Sequence, residues 1–228
     1  MLNDIHDDLL AIYYKEYVGA ISDHCMTKEE ERDAKVRSIQ LSTSGQLFKI
    51  SNGFINSKKG LFYKSGGPAN PMSRDCDGII IAELNGQKYI IFLELKSSYT
   101  TSEIVVAQQQ IMCSYYCLMT ELHGLLHFNY TEYKACCMIA SHPLSEETKL
   151  KFYKWKLTGG IDRCKERALH FAFHPDQRFD LLREDVSDLK DKPFSNNHMF
   201  SVLPMFHLPV LNNQDSGLFN IDYYLGQV

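Results

Sequence analysis

The chain has 228 residues, 44% of them hydrophobic and 23% charged, with a formal net charge of −4. These values exclude a disordered chain and a globally basic nucleic-acid binder, and they allow one large α/β domain with a sizeable core. No run approaches the roughly 18 apolar residues of a membrane span, and seven cysteines without a C-x-x-C pair read as reduced thiols, so the expectation is a cytoplasmic protein with no membrane partner.

Residues 3–21 carry an amphipathic stripe of Ile5, Leu9, Ile12, Glu16 and Ala20, which predicts a helix. Thr27 and Glu30 have the spacing of a capping box and predict a second helix over about 27–41, with Glu29, Glu30 and Glu31 as its solvated first turn. Short strands are expected at 46–50 and 54–56, around Asn52-Gly53. A loop over 65–73 with two glycines and two prolines, flanked by Lys64 and Arg74, is a candidate substrate-facing segment.

The stretch 74–98, RDCDGIIIAELNGQKYIIFLELKSS, reads as two apolar strands joined at Asn85-Gly86, the residue pair that most favours a two-residue hairpin turn. With Leu84 opposite Gln87, facing residue numbers sum to 171, so Asp77 faces Glu94 and Asp75 faces Lys96. Directly opposed carboxylates are destabilising, and a hard divalent cation with oxygen ligands would compensate them. Side chains alternate along a strand, so Glu94 and Lys96 share a face and Leu95 turns to the other. Asp followed by Glu-x-Lys is a phosphodiester-cleaving constellation.

Asp77 followed by Glu94-Leu95-Lys96 resembles the PD-(D/E)XK nuclease superfamily, with Cys76 where the family name has a proline. The resemblance implies a restriction-endonuclease-like α/β sandwich, a mixed central sheet of about five strands flanked by helices. It also implies metal-dependent hydrolysis of nucleic acid, with DNA the expected polymer, cut endonucleolytically in a defence or restriction context. Asp77, Glu94 and the Leu95 carbonyl would hold Mg²⁺ or Mn²⁺, and Lys96 would act on the attacking water or the developing charge. A helix glutamine is a further feature of the superfamily, best matched by Gln110 and next by Gln108; Glu16, Glu30 or Glu31 could add a carboxylate. A catalytically silent binding or assembly subunit with the same fold is the alternative.

After the hairpin, residues 102–122 predict a helix with Glu103, Ala107, Gln110 and Ser114 on one face. Residues 134–141 predict a strand parallel to 89–96, reached by a right-handed crossover. A helix capped by Ser145 is expected to run to Trp155, then a strand over 169–173 flanked by His170 and His174. Basic residues at 56–74 and 149–167 are candidates to follow a phosphate backbone. The whole chain reads as one domain, with a core over about 27–175 and an elaboration over 176–228. Its apolar residues from Met199 to Val210 either pack on the sheet or form a homo-oligomer or partner interface.

Overall fold

The structure, a computed structural model, describes residues 2–13, 15–29, 33–51, 53–54, 75–159, 163–182 and 202–228. The elements are α1 (Leu2–Ile12), β1 (Ser22–Lys28), β2 (Ser38–Ile50), β3 (Gly78–Leu84), β4 (Gln87–Lys96), α2 (Thr101–Leu122), β5 (Tyr133–Ser141), α3 (Glu146–Leu157), α4 (Arg163–Phe173), β6 (Phe179–Leu182), β7 (Val202–Pro209), β8 (Ser216–Asn220) and α5 (Asp222–Leu225). The eight strands form one mixed sheet in the order β1-β2-β3-β4-β5-β7-β6, with β8 alongside β2. Parallel pairing joins β4 to β5, β5 to β7 and β2 to β8, and the other neighbours are antiparallel.

The β3–β4 hairpin has the expected register at every pair, from Leu84 opposite Gln87 to Gly78 opposite Leu93. Its turn puts Asn85 at φ 51° and Gly86 at φ 80°, the left-handed conformations a type I′ turn requires. Both strands are apolar on both faces because both faces are covered. On one side, Ile79, Ile81, Ile90 and Phe92 pack under α1, α2 and α4. On the other, Ile80, Ile91, Leu93 and Leu95 pack against Ile39 and Leu41 of β2 and Tyr224 and Leu225 of α5. The second layer is therefore built largely from the first half of β2 with β1 and β8, and helices of any length lie on one face.

That layer exists because β2 changes neighbours along its length. Residues 46–50 pair with β3, whereas Ser38–Ser42 pair with β8, and a register irregularity between Ser22 and His24 marks the bend in the β1 pairing. The helix expected over 27–41 is thus replaced by β1 and the start of β2. Buried Ile39, Leu41 and Thr43 alternate with more exposed neighbours, the period of a strand. The first helix stops at Ile12, and Val18 instead makes an isolated bridge to Ile50.

Two further expectations are corrected. Residues 169–173 are the last part of helix α4 rather than a strand. The sheet has eight strands rather than about five. The strand expected at 54–56 is not formed at Phe54, which is helical, and residues 55–56 lie outside the described residues. Of the apolar C-terminal residues, Leu203, Met205, Phe206, Leu208 and Val210 are buried. They form β7 and its continuation beside β5, so these five are occupied within the sheet. Cys25, Cys76, Cys113, Cys117, Cys136 and Cys137 are free thiols, and all of these but Cys25 are buried. Among the described residues no helix is long and apolar enough to cross a membrane.

Candidate active site at the end of the hairpin

Three segments converge where β3 begins and β4 ends. The register carries Asp77, one residue before Gly78, to the position facing Glu94. Asp77 Oδ2 accepts the Leu95 backbone N–H at 2.6 Å. An extended residue directs its N–H and C=O toward the same neighbour, so the Leu95 carbonyl faces the Asp77 side as well. Glu94 is fully buried. Lys96 Nζ lies 2.5 Å from Glu94 Oε1 as an ion pair. Among the described residues no donor other than Lys96 reaches the carboxylate oxygens of Glu94.

Helix α2 supplies the third segment. Thr100 caps it by accepting the Glu103 N–H. The face carrying Glu103, Gln110 and Ser114 turns toward the hairpin end. Gln110 Oε1 accepts from Lys96 Nζ at 2.8 Å, and its Nε2 donates to the Asp75 carbonyl at 3.0 Å. Ser114 Oγ accepts the Cys76 N–H at 2.8 Å. Gln110 thereby orients the ammonium and, with Ser114, anchors the chain leading into Asp77. Gln108, the second glutamine candidate, points elsewhere: it is buried and its nearest polar contact is Met205 Sδ at 3.9 Å.

Electrostatics follow from burial. Desolvation pushes the Asp77 carboxyl up to about 7, against the Leu95 N–H, which favours the charged form; nearby Glu29 and Asp75 push it further. Glu94 is raised well above the ordinary carboxylate range, first by burial and then by Asp77, with Lys96 opposing. Burial alone would lower Lys96, but Glu94, Asp77 and Glu103 outweigh it and hold the ammonium charged. Burial thus raises the proton affinity of both carboxyls, and a cation beside them would lower it again.

This donor set fits a hard divalent cation. The ligands on offer are oxygens only, and two carboxylates are enough for Mg²⁺ when waters and substrate complete its shell. Among the described residues no group of three or more His, Cys, Asp or Glu side chains is placed to hold a metal ion. Asp77, Glu94 and the Leu95 carbonyl are the residues here that could contribute to binding one.

The extra-carboxylate candidates fare differently. Glu16 is exposed in the segment after α1, and Glu30 and Glu31 lie outside the described residues. Glu29, which sequence reasoning placed in a solvated helical turn, instead follows β1 and raises both Asp77 and Glu94 through space. The adjacent Thr27 is buried, and its Oγ1 would lie 2.7 Å from a β-carbon on Gly78, so the site tolerates only a glycine there without a shift. The signal that could have found this was the strand alternation of residues 38–43, which removes the helix and brings the end of β1 to the hairpin.

The two basic segments give no site support. Residues 55–74, with the candidate loop 65–73, lie outside the described residues. In the second segment Lys149 pairs with Glu146 and Lys151 with Glu147 on the surface of α3, while Arg167 is fully buried. In comparisons with protein-family models, curated proteins and solved structures, nothing matches this chain.

Proposed function

We propose that the chain is a metal-dependent nuclease that hydrolyses phosphodiester bonds of nucleic acid, with Mg²⁺ or Mn²⁺ as cofactor and DNA as the expected polymer. The observation that carries the reading is the fully buried Glu94 carboxylate, paired with Lys96 and facing Asp77 across a fixed hairpin register. Two carboxyls brought out of water beside one ammonium leave charge for a cation to compensate, because uncompensated buried charge is costly.

Asp77, Glu94 and the Leu95 carbonyl hold the ion in this reading. When bound, such an ion polarises the scissile phosphate and lowers the pKa of water. Lys96 keeps its proton under the field of the two carboxylates and offers an ammonium to the attacking water or to developing charge. Gln110 fixes that ammonium and the strand entry at Asp75 with its two amide contacts.

Incubation of the purified protein with plasmid, linear duplex, single strands and RNA tests the proposal. Cleavage in Mg²⁺ or Mn²⁺, abolished by chelation and by Glu94→Gln, is expected; intact substrates in every combination would refute it. A catalytically silent assembly subunit is favoured by one observation, the exposed Leu150, Tyr153, Trp155 and Leu157 on α3. Light scattering that shows a monomer at high concentration counts against self-assembly through that face.

A further inference from the structure

We infer that the polar groove between β1–β2–β8 and the turn after β7 binds the phosphodiester backbone of the nucleic-acid substrate and leads it to Asp77 and Lys96. The inference rests on the nuclease reading for its ligand, and on independent geometry for its location. The concavity, about 1120 Å³, is floored by Ser38 and Gln40 of β2 and rimmed by Lys35, Arg37, His142 and the amides of Asn212 and Asn213.

The lining has the chemistry of a phosphate path. Lys35 and Arg37 are exposed, and Lys28, paired directly with Ser38, is exposed on the same face of the strand layer. Against these cations the groove carries, among the described residues, one carboxylate, that of Asp215. Backbone contacts hold its shape: the Asp215 carbonyl accepts the Arg37 N–H at 2.6 Å, and His142 Nε2 lies 2.9 Å from the Gln214 carbonyl. Mixed cations and amides on a firm backbone favour a repeating anion over an apolar ligand.

Two tethers join the groove to the site. Strand β1 runs from Met26 in the groove wall to Thr27 against Gly78, and ends beside Glu29, whose charge acts on Asp77. On the other side the Lys35 N–H donates to Ser97 Oγ at 3.1 Å, one residue beyond Lys96, and the His142 carbonyl accepts the Tyr99 N–H at 3.2 Å. A polymer lying in the groove would therefore exit at the hairpin end. A net charge of −4 over the whole chain makes a local basic path of this kind the place where a polyanion can dock.

The test uses full-length protein carrying Glu94→Gln, to suppress cutting, and fluorescent single-stranded DNA, duplex DNA and RNA oligonucleotides. Affinity is read by anisotropy across a salt series in Ca²⁺. Lys35→Gln with Arg37→Gln is expected to weaken binding about tenfold or more and to flatten the salt slope by about 1.4–1.8, because each of the two phosphate contacts contributes ~0.7–0.9 to it. Lys35→Arg with Arg37→Lys should restore both, while Lys151→Gln with Lys154→Gln on α3 should change neither, and thermal melts check that each variant is folded. Parent-like affinity and slope in the groove variant, or no oligonucleotide binding by the parent, overturns the inference. Failure of the nuclease reading is separable: absence of cleavage by the wild-type chain with groove-dependent binding intact would sink the chemistry and leave the groove standing.

Discussion

Replacing Asp77 by Asn should make the metal-free protein more stable, and only above a defined pH. The Asp77 carboxyl is raised from its ordinary 3.8 to about 7, chiefly by burial. The native state thus holds a proton that the unfolded chain releases near pH 4, and this contribution is full below that value. It declines as pH rises through the interval and is gone above about pH 7, where ionising the buried group costs the native state roughly 4 kcal/mol at 1.36 kcal/mol per tenfold. Asn cannot ionise, yet its Oδ1 can still accept the Leu95 N–H. Partial exposure and coupling to Glu94 trim the gain to about 2–4 kcal/mol, or roughly 5–15 °C in melting temperature for a chain of this size. Melts of parent and Asp77→Asn in chelator from pH 4.5 to 8.5 read it directly. The gap should open between about pH 4 and 7 and level off above, and Mn²⁺ should raise the melting temperature of the parent but not of the variant. Parallel pH curves, or equal stabilisation of both proteins by Mn²⁺, would show that Asp77 is neither desolvated nor a ligand.

Other perturbations separate the roles of neighbouring residues. Lys96→Ala should abolish cleavage while calorimetric Mn²⁺ binding persists, since an ammonium is not a ligand; loss of binding would move Lys96 into a structural role. Gln110→Ala should lower turnover by about ten- to a hundredfold, in the range of a residue that orients a catalytic group, with little change in melting temperature. Gln108→Ala, from the buried side of α2, should do the reverse and cost about 1–3 kcal/mol in denaturant titrations. Gly78→Ala should destabilise by about 1–3 kcal/mol, because its β-carbon would meet Thr27 Oγ1 at 2.7 Å. Adding Thr27→Ala should recover much of that loss, and a double-mutant cycle without coupling would rule out the contact.

The hairpin was legible because its signals are local. Asn85-Gly86 sets the turn, the turn sets the register, and strand alternation then puts Glu94 and Lys96 on the face that α2 covers. The same held for β5, whose pairing from Tyr89–Lys134 to Lys96–Ser141 follows from an apolar run after a crossover helix. The phase of α2 also followed, because helical spacing alone separates Gln110 from Gln108. What failed was non-local. Thr27 and Glu30 have the spacing of a helix start, but Ile39 and Leu41 are buried only because β1 and β8 flank them and the hairpin lies beneath. In residues 169–173 the alternating Leu169, Phe171 and Phe173 mimic a strand, whereas burial of Ala168, Leu169, Phe171 and the packing of Ala172 follow a helical stripe. Glu29 was missed with them: its place beside the carboxyl pair depends on β1 pairing with β2, and the alternation of residues 38–43 that signals β2 was outweighed by the capping-box spacing of Thr27 and Glu30.

Burial at the hairpin end couples three equilibria that would be independent on an exposed surface. Closing α2 and the β1 end over Glu94 raises the proton affinity of both carboxyls, so the folded, metal-free chain carries less negative charge there near pH 7 than two exposed carboxylates would. A divalent ion that enters must displace those protons, which makes its apparent affinity rise with pH and its binding release acid into a weak buffer. Burial by itself opposes the Lys96 charge, and the negative charge of Glu94, Asp77 and Glu103 is what holds the ammonium, so its hold tightens as the carboxyls lose their protons. The groove beside β1 would bring a polyanion to this point, and each added phosphate charge favours the cation-loaded form over the protonated one. On this argument substrate and metal bind with positive coupling. Mn²⁺ titrations with and without a non-cleavable oligonucleotide should show tighter metal binding in its presence, and equal affinities would place the groove and the carboxyl pair in separate functions.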